Sequence, residues 1–255
     1  MKANQTCKAR LVAQGWNQVP GQDCGSTFAP VCRLQSVRMV LAIASEMDWE
    51  ARQLGVKTAF LYANIEEEVF VAEPPGFEAN SKQKGLLVMK LGKSLYGLAQ
   101  SPGNWFHTID PVLISMGFVP LISDTCIYIY NHDGVIIILT LYVDDLLVIR
   151  SDIQLIEKIR SKLMEKFKMT DMGDVSLVLG MQITRDREKK TLTISQEEYT
   201  KSILERFGMT NRKFVGTPGF GSELSTKQPE KTLLTKEETQ RYLAITGSVM
   251  ISLRY

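Results

Sequence analysis

The sequence reads as a mixture of helices and strands compatible with an α+β fold, on three observations. Two apolar runs, Val135 to Leu141 and Leu146 to Ile149, flank Tyr142-Val143-Asp144-Asp145 with no helix-length polar face, the pattern of a β-hairpin with its tight turn at the acidic pair. Apolar stripes at helical spacing recur over Leu34 to Met47 and over Ile153 to Phe167. Short apolar runs bounded by Gly and Pro lie between them and read as further strands. At 255 residues the chain can form one large domain or two small ones.

Taken in order, residues 1 to 30 are polar and Gly-rich, with a basic start at Lys2, Lys8 and Arg10 and a short strand expected at Ala9 to Ala13. Val37, Val40, Leu41 and Ala44 line one face of the first helix. Leu54 to Leu61 reads as a strand, Val69 to Ala72 as a second stopped by Pro74-Pro75-Gly76, and Leu86 to Leu91 as a third. Pro102 to Met116 reads as a helix with Pro102 in its first turn and Trp105, Phe106, Ile109, Val112 and Leu113 on one stripe; Pro111 predicts a kink. Beyond the acidic hairpin, Ile156, Ile159, Leu163 and Phe167 share a helical face. Met172 to Ile183 and Thr191 to Ser195 predict a further hairpin, and Glu197 to Phe207 a helix capped by Gly208. Gly216 to Thr235 reads as a linker before a partial helix from Glu237 to Ile251.

Composition narrows the chemistry. A net charge of +2 does not by itself demonstrate nucleic-acid binding, although a basic groove can coexist with an acidic site. No apolar run reaches a membrane span of roughly 18 residues and no signal-peptide pattern opens the chain, so an intracellular, non-membrane protein is expected, cytoplasmic or nuclear. Cys7, Cys24, Cys32 and Cys126 lack zinc-finger spacing and read as free thiols. With only His107 and His132, carboxylate and phosphate chemistry ranks ahead of zinc chemistry. Two carboxylates where an apolar segment should continue cost on the order of several kcal/mol unless a cation or a hydrogen-bond network compensates. Mg²⁺ meets that need with one or two carboxylates plus substrate phosphates. On these residues alone an ordinary solvent-facing Asp-Asp turn stands level with the metal reading.

Six ordered segments carry a resemblance: Lys8-Ala-Arg-Leu-Val-Ala-Gln-Gly15, Gln53-Leu-Gly-Val-Lys-Thr-Ala-Phe-Leu61, Glu73-Pro-Pro-Gly-Phe77, Lys93-Ser-Leu-Tyr-Gly-Leu-Ala-Gln-Ser-Pro102, Tyr142 to Asp145, and Phe167-Lys-Met-Thr-Asp-Met-Gly173. Together they resemble the reverse transcriptase domain of copia-type retrotransposon Pol polyproteins, over nearly the whole chain. The resemblance implies a right-hand polymerase: fingers at 1–33 and 66–99, palm at 34–65 and 100–185, and a thumb or connection at 186–255. It implies two-metal nucleotidyl transfer with Mg²⁺ (or Mn²⁺), an RNA or DNA template with primer, and deoxynucleoside triphosphates as partners. Asp144 and Asp145 are then metal ligands and catalytic residues. Phe60 takes the position whose ring excludes a ribonucleotide 2′-hydroxyl. Lys8, Arg10, Gly97 and Gln100 fall in nucleotide-binding segments, and Tyr142, Pro102, Met181 and Gln182 near primer and template.

The chain departs from that pattern at Gly55, where the family carries an aspartate bridging both metals. Glycine supplies no ligand, so an inactive or severely impaired polymerase is expected. Ala99 and Gly103 stand where basic residues are usual. Relative to the family the match starts inside the fingers and stops before the ribonuclease H region, so a truncated piece is expected, with the remainder of the Pol polyprotein as its missing partner. The competing expectations are a non-catalytic nucleic-acid-binding module and a functionless relic.

Overall fold

β-branched and aliphatic alternation builds one antiparallel sheet. Its strands are β1 (Glu50–Val56), β4 (Val119–Pro120), β5 (Ile127–His132), β6 (Val135–Tyr142), β7 (Asp145–Arg150) and β8 (Met169–Asp174), in the order β4-β5-β6-β7-β1-β8. In this computed structural model residues 9–77, 87–150, 152–213, 215–216 and 234–254 are described. The chain divides into two compact units, Met1–Val175 and Ser176–Tyr255.

In the first unit, alternate residues of the central strands, Leu54 and Val56 of β1, Leu139 and Leu141 of β6, Leu146 and Val148 of β7, form one buried cluster. Helix α2 (Ser101–Ser115) contributes Trp105, Ile109 and Leu113 to it, and α3 (Ile153–Lys166) contributes Ile156, Ile159 and Leu163. Helix α1 (Leu34–Glu46) packs on β1 and β7 through a separate buried set that includes Val37, Leu41 and Ala44. The start of α3 is fixed by Asp152, whose carboxylate accepts from the Gln154 N–H at 2.8 Å. A two-stranded sheet joins β2 (Phe70–Ala72) to β3 (Val88–Lys90).

The second unit holds a small sheet of β9 (Leu177–Val178), β10 (Met181–Asp186) and β11 (Thr191–Ser195), with α4 (Glu197–Arg206) and α5 (Lys236–Arg254). The expected hairpin there is β10 with β11, and Gly208 follows α4 at φ +66, the left-handed conformation that ends helices. Among the described residues no helix is long and apolar enough to cross a membrane, and Cys24, Cys32 and Cys126 are free thiols.

Several local expectations change. Ala9 to Ala13 forms no strand, because its tie to a neighbour is a single bond, Ala13 N–H to the Tyr96 carbonyl at 2.7 Å, and not a ladder. The strand expected over Leu54 to Leu61 begins earlier, at Glu50, and stops at Val56; Thr58 takes φ +55 and Ala59–Tyr62 coils into a 3₁₀ turn. The acidic turn itself is Val143-Asp144, since Asp145 already pairs with Tyr142. Helix α2 begins one residue earlier than expected, at Ser101, and ends at Ser115 with Pro111 inside it. β4 and β5 lie outside the expected elements: β4 has only two residues, and Asn131 and His132 break the apolar run of β5. Lys8, Leu86 and most of the Gly216 to Thr235 linker lie outside the described residues.

Two glycines lock the segment after Arg10 onto the loop before α2. A Cβ on Gly97, which sits at φ +93, would meet the Ala13 carbonyl oxygen at 2.1 Å, and a Cβ on Gly15 would meet the Gly97 carbonyl oxygen at 1.9 Å. Only two residues without side chains allow backbones this close. Gly97→Ala is therefore expected to lower unfolding stability in urea by about 1–3 kcal/mol or more. Gly92→Ala, with nothing within 4 Å of its Cβ position, should stay within about 0.5 kcal/mol of the parent.

Candidate functional site

The acidic turn closes the β6–β7 hairpin in a conformation its own sequence disfavours. Val143 adopts φ +54, where a β-branched side chain clashes with its backbone. Two hydrogen bonds from different elements hold it there. The indole N–H of Trp105, 1 % exposed on α2, donates to the Val143 carbonyl at 2.6 Å, and the Val56 N–H at the end of β1 donates to the Asp144 carbonyl at 2.7 Å. Trp105 is itself set edge-on against Phe167 at 5.2 Å, and Phe167 edge-on against Tyr62 at 5.2 Å. The Tyr62 hydroxyl accepts from the Lys168 N–H at 2.7 Å, tying this aromatic group to the start of β8.

Asp144 and Asp145 are both partly buried, which departs from a freely solvated turn. Burial, followed by the Asp144 charge, holds the Asp145 carboxyl above its ordinary value, partly offset by a hydrogen bond from Gln53. Gln53 is 8 % exposed and lies two residues before Gly55, on the same face of β1. A raised carboxyl beside a second carboxylate is an electrostatic environment that a cation would relieve.

Gly55 pairs directly with Asp145, and a Cβ built on it would lie 3.8 Å from Asp145 Oδ1. The same position is only 2.5 Å from the terminal methyl of Met172. Register explains that contact. Leu54 pairs with Asp171 and Gln53 with Gly173, so Met172 is the extra residue of a β-bulge in β8. The bulge carries its half-exposed thioether over Gly55. Around it, Asp171 accepts from the Gly173 N–H at 2.8 Å and pairs with Arg160 at 2.7 Å, and Arg52 pairs with Asp174 at 3.2 Å.

Beside the turn stands an aromatic stack. Phe60, in the 3₁₀ turn after β1, lies 4.7 Å from the Tyr96 ring, and the Arg10 guanidinium lies over the other partner, 4.7 Å from the Tyr96 centroid. The Tyr96 hydroxyl is pushed up by burial and by the Asp144 charge, while Arg10 and a hydrogen bond from the Ala59 backbone pull it down. Phe60, Arg10 and Asp144 thus meet through Tyr96, a residue whose part in the site the sequence does not reveal.

The other expected site residues lie as follows in the structure. Gln100 is 1 % exposed; its oxygen accepts from Gln18 Nε2 at 3.0 Å and its amide donates to the Asp23 carbonyl at 3.1 Å. Gly97 is exposed but packs backbone to backbone as described above. Pro102 and Val143 line a common small cleft, and Tyr142 pairs with Asp145. Met181 and Gln182 lie in β10 of the second unit. Gly103 is buried, with its Cβ position 3.0 Å from the Phe28 carbonyl oxygen, so a basic residue there would require that segment to move.

Among the described residues no three Asp, Glu, His or Cys side chains converge as a metal cluster. The donors present therefore fit one hard divalent cation that takes its remaining ligands from water or phosphate. They do not fit a pair of ions bridged by a third carboxylate, since the position that would supply it is glycine under a methionine methyl.

Comparison with known proteins bears on this geometry. Residues 1–220 match the family described as reverse transcriptase (RNA-dependent DNA polymerase). The chain is similar to the retrovirus-related Pol polyprotein from transposon TNT 1-94 of Nicotiana tabacum, 40 % identical over 250 residues, covering 96 % of this chain and 19 % of the relative. It is also similar to the retrovirus-related Pol polyproteins from transposons RE2 and RE1 of Arabidopsis thaliana. The first is 36 % identical over 95 % of this chain and 16 % of the relative; the second is 37 % identical over 83 % and 14 %. The chain thus spans less than a fifth of the length of each of these relatives.

Two stability measurements check the site's construction. Trp105→Phe keeps the ring packing but leaves the Val143 carbonyl without its donor, and is expected to cost about 1–3 kcal/mol in urea unfolding. Asp145→Asn should do the opposite. The folded protein binds the Asp145 proton more tightly than the unfolded chain, so in the window between the ordinary and the raised value its stability falls as pH rises, and the deficit is fully present at neutral pH. At pH 7.5 (roughly neutral) in chelator, Asp145→Asn is expected to melt above the parent, with the difference shrinking as pH is lowered through the carboxylate range.

Proposed function

The chain belongs to the reverse transcriptase (RNA-dependent DNA polymerase) family, of copia type, and from that membership we propose that it is the DNA-synthesising region of a retrotransposon Pol polyprotein, with nucleotidyl transfer held down by Gly55. The observation that carries the proposal is the pairing of Gly55 with Asp145 across the sheet, with Met172 over the vacant position. In this reading the six-stranded sheet is the palm, residues 1–33 and 66–99 contribute the fingers, and residues 186–255 the thumb.

The family uses divalent metal, and Asp144 and Asp145 are the oxygens this chain offers to Mg²⁺ or Mn²⁺. A bound divalent cation lowers the pKa of the primer 3′-hydroxyl and neutralises developing phosphate charge. The protein's own part is positional. Trp105 and Val56 fix the height of the acidic turn, so the carboxylates need no reorganisation when a primer end arrives. Phe60, braced on Tyr96, is the ring that discriminates against a 2′-hydroxyl in this reading, and Arg10, on that same Tyr96, offers a guanidinium to the triphosphate. Lys8 adds a second positive charge to that segment in the sequence. Gln100 serves by tying the loop before α2 to Gln18 and Asp23.

A binding-only reading is favoured by one observation, the Met172 methyl occupying the space of a third carboxylate. Primer extension on an RNA template separates the two, run with Mg²⁺ and with Mn²⁺ on the parent, Gly55→Asp, Gly55→Asp/Met172→Ala and Asp144→Asn. The parent is expected to run at least roughly 10²–10³ below Gly55→Asp, the loss typical of a missing electrostatic element. The double variant should equal or exceed the single one, because clearing the methyl leaves the new carboxylate free to face Asp145. Parent activity equal to Gly55→Asp and abolished by Asp144→Asn would overturn the impairment. Silence in all four, with salt-sensitive primer-template binding retained, assigns the chain to binding alone.

A further inference from the structure

A cavity of about 640 Å³ opens between the β5–β6 hairpin and α3, and none of its lining residues belongs to the acidic turn or to the stack on Tyr96. We propose that it binds a small amphipathic anion, an aromatic or aliphatic body carrying one carboxylate, sulfonate or phosphate. The volume falls within the range of small-molecule sites, about 300–1,000 Å³.

Its floor is apolar: Phe118, Ile137 and Ile159 are buried there, and the Tyr130 ring forms a wall. Gly117, at φ +92, has its Cβ position 3.1 Å from that ring, so the absence of a side chain lets Tyr130 lie close against the chain. Among the described residues the Tyr130 hydroxyl has no hydrogen-bond partner, so a polar atom is available within an otherwise apolar wall.

The sign of the ligand comes from the rim. Lys158 and Lys162 stand four residues apart on α3, hence on one face, and among the described residues neither ammonium is paired with a carboxylate. Glu157, the neighbouring acid, is engaged by Arg160 and Arg52. Asp133, on the opposite lip, lies with its Oδ2 2.9 Å from His132 Nδ1, so the lysines on α3 outnumber the one carboxylate across the mouth. Two uncommitted cations above an aromatic floor complement a ligand with an apolar body and an anionic head.

Anilinonaphthalene sulfonate has that chemistry, and its neutral counterpart N-phenylnaphthylamine lacks the charge. Fluorescence titrations of the full chain with both probes, on the parent and on three variants, test the proposal. The anion should bind the parent more tightly than the neutral probe, and more weakly as salt is raised. Lys158→Glu/Lys162→Glu should weaken the anion roughly tenfold while sparing the neutral probe. Ser161→Trp, at the exposed mouth, should block both. Lys166→Glu, on the same helix but outside the cavity, should change neither, and circular dichroism should show all four proteins equally folded. Equal binding of the two probes by the parent, or anion binding unaffected by the double reversal and by Ser161→Trp, would overturn the proposal. So would concentration-dependent self-association abolished by Ser161→Trp with probe binding unchanged, which would make the cavity a protein-protein groove.

Discussion

One hydrogen bond sets the geometry around which the first unit is organised: the Trp105 indole N–H on the Val143 carbonyl. The strand pair β6–β7 ends in two carboxylates, and neither the turn's backbone nor its side chains would hold that shape unaided. A β-branched residue in the left-handed region costs about 1–3 kcal/mol, and Thr58, another β-branched residue, is held at φ +55 in the loop that leads to Phe60. These strained positions persist because buried aromatic packing around Trp105, Phe167 and Tyr62 over-determines them. Positive φ also occurs in the other hairpin turns, at Asp133, Leu179 and Lys190, so what sets the acidic turn apart is that its carbonyl is held by a buried indole from another element.

The electrostatics and the packing around Gly55 belong together. With no third carboxylate, the site carries one less negative charge, yet burial and the Asp144 charge still hold Asp145 above its ordinary value. The bulge at Met172 brings an apolar methyl to the place where a ligand side chain would begin. The sheet thus sets Gly55 directly opposite Asp145 while filling the space beside it with hydrocarbon.

Much of this architecture is legible in the sequence where periodicity is strong. The acidic hairpin, α1, α3, β11 and α4 follow from apolar spacing and capping residues within a residue or two of their observed limits. The short elements do not, because a two-residue strand such as β4 or a bulge such as Met172 has no period to read; each is decided by what the neighbouring strand presents. Asp144 and Asp145 stand out in the sequence by chemical type and Gly55 by its departure from the family pattern, and the structure brings them to one end of the sheet. Tyr96 could not be found that way. It has no distinguishing pattern, and its place between Phe60 and Arg10 depends on a loop folded against a segment eighty-odd positions earlier in the chain (Arg10 to Tyr96). Gln100 looks in the sequence like a polar loop residue, whereas its amide is spent on Gln18 and Asp23 inside the protein.

The interlocked pair Gly15 and Gly97 has a consequence for how such a domain varies through descent. The Gly97 carbonyl fills the place of a Gly15 side chain and the Ala13 carbonyl that of a Gly97 side chain, so neither glycine can accept a side chain and no exchange between them restores the fit. Contacts that tolerate compensating change leave a record of paired substitutions; this one, blocked by backbone atoms on both sides, offers no compensating pair. Methods that infer proximity from correlated variation will therefore miss the contact that fastens the chain after Arg10 to the loop carrying Tyr96.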